Sequence, residues 1–200
     1  MTPGFAARLD VSRETLDRLA AYVELLKRWQ ARINLVAAST LGDVWRRHVL
    51  DSAQLYRFVE PKAARLYDIG SGAGFPGLVL AIMGLSDVHL IESDRRKVEF
   101  LREAARITAT KVTLHGKRVE TMAPADADFV TARGCASLSE LLDLAKPILK
   151  PSGVCIFLKG RTAHTELTEA RKRWTMRVKE FESLTDPTAA ILRLEEPRDA

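Results

Sequence analysis

The chain has 200 residues, of which 46% are hydrophobic and 28% are charged, and its formal net charge is +5. This composition is that of an ordinary globular protein and excludes collagen-like, coiled-coil and intrinsically disordered chains. Glycines and a proline interrupt the longest uncharged stretch, 69–86, so no membrane-spanning helix is predicted. Two cysteines make no disulfide framework, and no apolar signal segment is recognisable, so we expect a cytoplasmic protein.

The first 60 residues follow a helical pattern. Ser12 is a candidate N-cap, and apolar residues then recur at helical spacing. A second helix is predicted from Asp43 to Pro61, with residues 34–40 as the joint. We therefore predict an N-terminal helical extension over residues 1–62 and a second unit over residues 63–200.

From Arg65 onward, short apolar runs alternate with helical stretches. This alternation is typical of a parallel, doubly wound sheet. The third of the predicted helices opens with a capping box, Ser137-Leu138-Ser139-Glu140. The predicted strands are 66–69, 88–92, 112–115, 129–132 and 154–158, and the predicted helices are 76–83, 94–107 and 138–149.

The C-terminal tail departs from this alternation. After a predicted helix at 165–173, two strand-like runs, 176–181 and 189–194, are joined by a turn that contains Asp186-Pro187. This pattern predicts an antiparallel hairpin at the edge of the sheet. The predicted fold class is therefore α/β and Rossmann-like, with a mostly parallel seven-stranded sheet, a C-terminal antiparallel hairpin and an N-terminal helical extension.

The strongest local signal is the glycine-rich segment 68–77, Asp-Ile-Gly-Ser-Gly-Ala-Gly-Phe-Pro-Gly, between a predicted strand and a predicted helix. Closely spaced glycines let a backbone turn sharply and approach a ligand. The helix beyond them offers free N–H groups to a carboxylate or a phosphate. This segment therefore predicts a cofactor-binding turn.

Two cofactors fit this turn. Gly72, Gly74 and Gly77 match the dinucleotide pattern, whereas Asp68 with Gly70, Gly72 and Gly74 matches the turn of S-adenosylmethionine (SAM) enzymes. In the second reading Asp68 faces the ammonium group of the cofactor through bound water. Glu92, at the end of the next strand, suits the ribose hydroxyls of either cofactor. The sequence lacks the Tyr-x-x-x-Lys pair of hydride chemistry, which favours SAM.

Several segments, in chain order, resemble the glucose-inhibited division protein B family, the bacterial small-subunit rRNA guanine-N7 methyltransferases. The Gly-Phe-Pro-Gly ending of the glycine turn is rarer than the turn itself, and the ordered set is more specific than any single piece. The resemblance spans roughly residues 25–160, and it rests on Ile33-Asn34-Leu35-Val36-Ala37, Arg47-His48-Val49-Leu50-Asp51-Ser52, 68–77, Ile91-Glu92-Ser93-Asp94, Phe100-Leu101-Arg102, Arg118-Val119-Glu120, Thr131-Ala132-Arg133 and Leu158-Lys159-Gly160.

The resemblance implies a class I SAM-dependent methyltransferase. It places Gly70 and Phe75 at the cofactor, brackets the adenine between Val119 and Glu120, and puts Arg133 at the boundary between cofactor and substrate. Family members usually have alanine and an apolar residue after this arginine, whereas Gly134 and Cys135 follow here. Lys159 ends a predicted strand on the ligand side of the sheet, so a substrate role is predicted for it. Arg133 and Lys159 are therefore the predicted catalytic residues.

The predicted reaction is methyl transfer from SAM to N7 of a guanine in 16S rRNA, free or within the small ribosomal subunit. Guanine N7 has a lone pair and no proton to lose, so direct in-line attack requires neither a general base nor a covalent intermediate. Two alternatives remain open at this stage. One is a methyltransferase for a small molecule, and the other is a non-catalytic SAM-binding or nucleotide-binding module.

Other residues have a functional and a structural interpretation. Cys135 suits a cytosine-C5 methylase nucleophile, although a role as pocket filler is favoured, and Cys155 is predicted to lie in the core. His48 either packs between helices, which is favoured, or contacts RNA. The basic cluster at 159–179 is either an RNA-facing ridge or a solvated helix face. No metal site and no membrane partner are expected, and we predict a monomer.

Overall fold

The computed structural model describes residues 11–200. The first element, helix α1, is Arg13–Gln30, and the hydroxyl of Ser12 caps it by accepting the Thr15 N–H. The predicted second helix is wrong as a single element, because residues 38–58 form short 3₁₀, π and α turns. They are Ala38–Asp43 (3₁₀), Trp45–Leu50 (π), Asp51–Ala53 (α) and Tyr56–Phe58 (3₁₀).

The π turn leaves one backbone carbonyl available to a side chain from another part of the chain. The N–H of Asp51 donates to the carbonyl of Arg46, five residues earlier, and to that of His48, and it does not bond the carbonyl of Arg47, four residues earlier. The freed Arg47 carbonyl accepts a hydrogen bond of 3.1 Å from Arg133, which lies on the sheet. Single π turns within helices are frequent at functional sites.

Seven strands form one sheet in the order β3-β2-β1-β4-β5-β7-β6. The pairs among β1 to β5 are parallel, and β7 is antiparallel to both β5 and β6. The predicted fold class is thus confirmed. The strands are β1 Arg65–Ile69, β2 Asp87–Ile91, β3 Thr113–His115, β4 Ala127–Arg133, β5 Leu149–Lys159, β6 Trp174–Glu182 and β7 Ala190–Asp199.

Helices cover both faces of this sheet. The capping box of α4 is present, with the Ser137 hydroxyl and the Glu140 carboxylate bonded reciprocally to backbone N–H groups. The predicted helix 138–149 ends earlier, at Ala145, and β5 begins earlier than predicted. The helices are α2 Gly77–Ile82, α3 Arg95–Ile107, α4 Leu138–Ala145 and α5 Ala163–Ala170.

Two buried clusters lie on opposite faces of the sheet, and β1 shows why. Its Leu66 belongs to one cluster, whereas Tyr67 and Ile69 belong to the other, as expected for side chains that alternate along a strand. The first cluster also contains the apolar residues of α1 and of 44–59. The described residues of α1 and of 44–59 therefore share one buried cluster with residues of the sheet, and the division at residue 62 stays a prediction.

The topology defines where a ligand binds. The chain leaves β1 toward β2 on one side and later returns to β4 on the other side of β1. The crevice at such a switch point, outside the carboxyl ends of the strands, is the usual ligand site of an open α/β sheet. Here Ile69 and Arg133 end the two strands.

In the described part of the chain, no helix is both long and apolar enough to cross a membrane.

Candidate active site

The glycine turn after β1 adopts a conformation that requires glycine at several positions. Gly70, Gly72 and Gly74 have φ values of +64°, +56° and +97°. A Cβ at Gly74 would lie 2.8 Å from the Cβ of Leu78, so this glycine lets helix α2 approach closely. A Cβ at Gly72 would meet nothing nearer than a carbonyl at 3.8 Å, because that side of the turn is open. The turn thus packs on one side and leaves the other free for a ligand.

Asp68 lies beneath this turn and is fully buried. Its Oδ2 accepts the Gly77 N–H at 3.2 Å, and its Oδ1 accepts the Thr131 hydroxyl at 2.8 Å. Burial raises the pKa of Asp68 to about 6 in spite of these hydrogen bonds. These contacts hold the turn and the start of α2 in place, and the contact of Asp68 with the cofactor through bound water stays a prediction.

Glu92 follows β2 and faces the open side of the turn. Its Oε2 accepts the Gly72 N–H at 2.9 Å, and its Oε1 accepts the Asp94 N–H at 2.8 Å. Each carboxylate oxygen retains further acceptor capacity. The predicted position for binding ribose hydroxyls is therefore geometrically available.

Two cavities meet at Glu92. The first has a volume of about 220 Å³, and the residues that line it include Ile69, Ile91, Val119, Glu120 and Leu144. The second, of about 370 Å³, lies against the turn itself. Gly70, Glu92 and Cys135 line both cavities. The other residues of the second cavity are Leu35, Ser71, Gly72, Ala73, Phe75, Lys97, Arg133 and Gly134.

This arrangement suits an elongated cofactor with an apolar end and a polar end. The first cavity offers aliphatic walls to an aromatic base, and Glu92 lies at the junction. The second cavity offers the backbone of the turn and two cationic side chains, Lys97 and Arg133. Of the predicted cofactor residues, the structure brings together Gly70, Gly72, Phe75, Glu92, Val119, Glu120 and Arg133 and leaves Asp68 and Gly74 as supports of the turn.

Arg133 connects the sheet to the N-terminal helical segment. Its Nη1 donates to the Arg47 carbonyl at 3.1 Å and to Asp51 Oδ2 at 3.3 Å, and its Nη2 donates to His48 Nδ1 at 2.8 Å. Its guanidinium carbon lies 4.8 Å from the centre of the Phe75 ring. Because a guanidinium has five N–H donors, two remain for a ligand in the second cavity.

His48 is buried, and its ring stacks on Phe75 with centroids 5.0 Å apart. The favoured prediction of packing is confirmed, but the residue also makes polar contacts. Burial, and then the charges of Arg133 and Arg47, lower the pKa of His48 to about 4. The imidazole is therefore neutral at physiological pH.

Two further side chains, Asp51 and Tyr22, hold parts of this site in place, and the sequence did not assign either of them this role. Asp51 accepts hydrogen bonds from Arg133 and, at 2.6 Å, from Thr185 in the loop between β6 and β7. Tyr22 of α1 donates to the Ala73 carbonyl of the glycine turn at 2.5 Å. The segment around Asp51 was part of the resemblance, yet nothing in the sequence indicated which distant residues it would meet.

Lys159 ends β5 and contacts both the loop before α4 and helix α5. Its side chain is only 6% exposed, and its Nζ pairs with Glu166 at 2.6 Å and donates to the Ala136 carbonyl at 2.8 Å. It lines neither of the two cavities. These contacts hold the loop before α4, and the role of Lys159 at the chemical step stays a prediction.

Part of the basic cluster at 159–179 lies away from the two cavities. β6 runs from Trp174, which pairs with Asp199, to Glu182, which pairs with Ala190. Ala190 pairs in turn with Lys159, the last residue of β5, so β6 ends on the same side of the sheet as β5. The three residues before β6, Arg171, Lys172 and Arg173, therefore lie on the opposite side from the cavities. Lys172 pairs with Glu169, and Arg173 pairs with Asp143.

Cys155 is buried in β5, as predicted. Cys135 lies at the junction of the two cavities, where its Sγ would be 3.3 Å from a Cβ at Gly70. The residue is exposed as a whole, but desolvation of its thiol against the turn, and then the charge of Asp68, raise the pKa of Cys135 to about 11. The thiol is therefore protonated at neutral pH and is a poor nucleophile.

We expect Cys135→Ser to retain most of the methyl transfer activity, within about threefold, because a protonated thiol contributes little nucleophilic reactivity. Single-turnover transfer from labelled SAM to rRNA is the measurement. A loss of several orders of magnitude, with an RNA adduct trapped on the native cysteine, would instead indicate covalent catalysis.

The sheet order, the glycine turn after β1 and the carboxylate after β2 define the class I methyltransferase fold. Solved structures agree: a ribosomal protein L11 methylase from Lactobacillus delbrueckii superimposes with a TM-score of 0.60 at 14% identity, covering 72% of this chain and 76% of that one. TYW2 from M. jannaschii, solved in complex with AdoMet, has a TM-score of 0.58 at 14% identity, covering 85% and 80%. At these identities the likeness concerns the fold alone.

The family is shown by closer relatives. The model of the rRNA small subunit methyltransferase G family (GidB) matches residues 15–191. Ribosomal RNA small subunit methyltransferase G of Rhodospirillum centenum is 59% identical over 96% of this chain and 89% of its own length. The protein of the same name from Rhodospirillum rubrum is 53% identical over 98% of both chains. The chain belongs to this family, which confirms the resemblance seen in the sequence.

Proposed function

We propose that the protein transfers the methyl group of SAM to N7 of a guanine in 16S rRNA by direct in-line attack. The lone pair of N7 forms the new N–C bond while the bond between the methyl carbon and the sulfonium sulfur breaks. The electron pair of that bond goes to sulfur, so S-adenosylhomocysteine leaves and the methylated guanine is cationic. No proton is transferred, so the step needs no general base.

The observation that supports this reaction best is the position of Arg133. It lies at the end of β4 beside the turn, and two of its N–H groups are uncommitted. An arginine there suits guanine O6, the acceptor next to N7 in the major-groove edge of the base. The methyl group then gains an effective concentration from fixed geometry, an effect that reaches roughly 7–11 kcal/mol in well-oriented reactions.

When bound, SAM supplies the electrophilic methyl group, and the residues of this chain would hold it in two places. Glu92 would accept the ribose hydroxyls, and Val119 with Glu120 would flank the adenine. The turn at Gly70 and Gly72 would contact the amino-acid portion. This division follows the aliphatic side chains of Ile69, Ile91 and Leu144 in the first cavity and the turn backbone that lines the second.

The test of this activity uses purified protein, labelled SAM, and 16S rRNA presented either free or in small subunits. Digestion to nucleosides should yield labelled 7-methylguanosine from one of the two substrates. Label in another nucleoside would overturn the assignment to N7. Absence of label from both substrates would favour the alternative, a methyltransferase for a small molecule.

That alternative is less well supported by the shape of the site. A small-molecule enzyme of this fold would need the N-terminal helices to close an apolar pocket over the methyl group. Here residues 44–59 pack on the sheet, and the second cavity is open and lined by the turn backbone, Lys97 and Arg133. An open polar cavity with cationic rims suits a large anionic substrate.

We infer that RNA approaches the carboxyl edge of the sheet. Lys97, in the first turn of α3, lines the second cavity, and Arg161 follows the end of β5 at the same edge. Arg46 and Arg47 lie on the adjoining helical segment, where they bond to Thr185 and Asp186. We further propose that the enzyme works as a cytoplasmic monomer, since this edge presents all of the catalytic groups from one chain.

Replacing Lys97 and Arg161 together with glutamine should reduce the salt dependence of RNA binding. If each contacts one phosphate, the slope of log affinity against log salt should become shallower by about 1.4 to 1.8, or 0.7 to 0.9 per contact. The measurement is filter binding of an rRNA fragment across a salt series. Glutamine at Arg171 and Lys172, at the opposite edge, is the charge-matched control and should change the slope by much less. An equal effect of both double variants would contradict this orientation.

A further inference from the structure

A chain of hydrogen bonds leads from the N-terminal segment to Arg133. Arginine only donates, so the Nδ1 of His48, 2.8 Å from Arg133 Nη2, is the acceptor. The hydrogen of the neutral imidazole is then on Nε2, which lies 2.7 Å from Thr40 Oγ1. The Thr40 hydroxyl donates in turn to the Ala37 carbonyl at 2.7 Å. Each member of the chain has one consistent donor and acceptor assignment.

We propose that His48 and Thr40 are positioning residues that fix the guanidinium of Arg133 toward the cofactor and the target base. The inference rests on the proposed function, in which Arg133 contacts the base. Thr40 selects the tautomer of His48, and His48 then accepts from Arg133. The acceptors at Arg47 and Asp51 complete the set, so three N–H groups bond to the helical segment and two have no acceptor among the described residues.

The stacking of His48 explains why a histidine suits this position. Its ring lies at 25° to the ring of Phe75, while Arg133 is held above the same ring. A flexible acceptor would not hold both the stacking and the hydrogen bond. Packing against a buried ring thus determines where Nδ1 points, and Nδ1 determines where the guanidinium points.

The arrangement requires a neutral imidazole. Protonation would place a hydrogen on Nδ1, directly against the donating Nη2 of Arg133. The charged groups that act on His48 are Arg133 of β4, together with Arg47 and Asp43 of the helical segment; the first two oppose protonation and the third favours it. Asp51 lies one turn further on and is already bonded to Arg133.

Three variants test the proposal in single-turnover methyl transfer at saturating SAM and rRNA. His48→Phe keeps an aromatic ring on Phe75 but removes the acceptor, and we expect a rate loss of about tenfold or more. His48→Asn returns an acceptor near Nδ1 without the stacking on Phe75 and should restore part of the rate, to a value between those of His48→Phe and the native protein. Thr40→Val should lower the rate about threefold. SAM and RNA dissociation constants should change by less than about threefold in each variant.

A double-variant cycle separates positioning from an independent role. In an Arg133→Ala background, His48→Phe should change the rate by less than about twofold, because its effect passes through Arg133. A full tenfold loss in that background would overturn the proposal. So would native rates in His48→Phe itself, or a His48→Asn variant as slow as His48→Phe.

The pH profile and the tautomer give readouts that a purely structural role would not produce. The native single-turnover rate should be flat from pH 8 to 6, and a break near 6.5 that is absent from His48→Asn would overturn the proposal. Nitrogen-15 NMR of labelled histidine should show hydrogen on Nε2 of His48 over this range, with the signal identified by its loss in His48→Asn. This spectrum does not depend on activity, so hydrogen on Nδ1 overturns the relay even if the proposed reaction is also wrong.

Discussion

Arg133→Ala is expected to lower the single-turnover rate of methyl transfer by about 100-fold or more at saturating SAM and rRNA. The reason is the loss of a group fixed between cofactor and base, since misplacement by about 1 Å alone costs roughly 100-fold. RNA affinity should fall by less than about tenfold, because most binding energy comes from phosphates elsewhere on the carboxyl edge. The measurement is transfer from labelled SAM under single-turnover conditions.

Arg133→Lys is the matched control for charge. Lysine keeps the positive charge but lacks the planar set of donors, so it cannot serve His48, Asp51 and a ligand at once. We expect an activity between those of the native protein and the alanine variant. Because Arg133→Ala leaves His48 Nδ1 and one Asp51 contact without their donor, its thermal unfolding must be recorded alongside. A folded alanine variant with the native rate would contradict the assignment of the active site to the end of β4.

Gly72→Val is expected to abolish SAM binding, with a loss of at least about 100-fold in affinity measured by calorimetry. The position lines the second cavity and has open space beside it, so a branched side chain would occupy the volume that the cofactor requires. Its φ of +56° adds a strain of roughly 1–2 kcal/mol for a residue with a Cβ. The fold should therefore survive at reduced stability.

Gly72→Asn separates occupation of the cavity from backbone strain. Asparagine tolerates the left-handed conformation better than valine does, yet it still fills the space. Loss of binding in both variants supports occupation as the cause. Binding of SAM by Gly72→Asn with native affinity would show that the cofactor does not lie against this part of the turn.

The sequence predicted those features that depend on local patterns. Leu66 and Tyr67 alternate between the two faces of β1 because strand side chains have a period of two, and that period is legible in the sequence. The glycine turn was equally legible, since left-handed positions at Gly70, Gly72 and Gly74 restrict the choice of residue. The capping box at Ser137 depends only on residues three positions apart.

Features that depend on distant partners were not predictable in the same way. The π turn at 45–50 leaves the Arg47 carbonyl to accept a hydrogen bond from Arg133, which lies 86 residues further along the chain. The ion pair between Lys159 and Glu166, on the following helix, likewise could not be predicted from the sequence. The cluster at 171–173 looked suited to RNA because its sequence position does not reveal which edge of the sheet it occupies.

The central claim is methylation of N7 of a guanine in 16S rRNA, and mass mapping of rRNA nucleosides from cells with and without this protein tests it most directly. Our account predicts that one 7-methylguanosine disappears from 16S rRNA when the protein is absent. It further predicts that the native chain restores the modification, whereas the Arg133→Ala variant does not. An unchanged 7-methylguanosine content of 16S rRNA in cells that lack the protein would contradict the account.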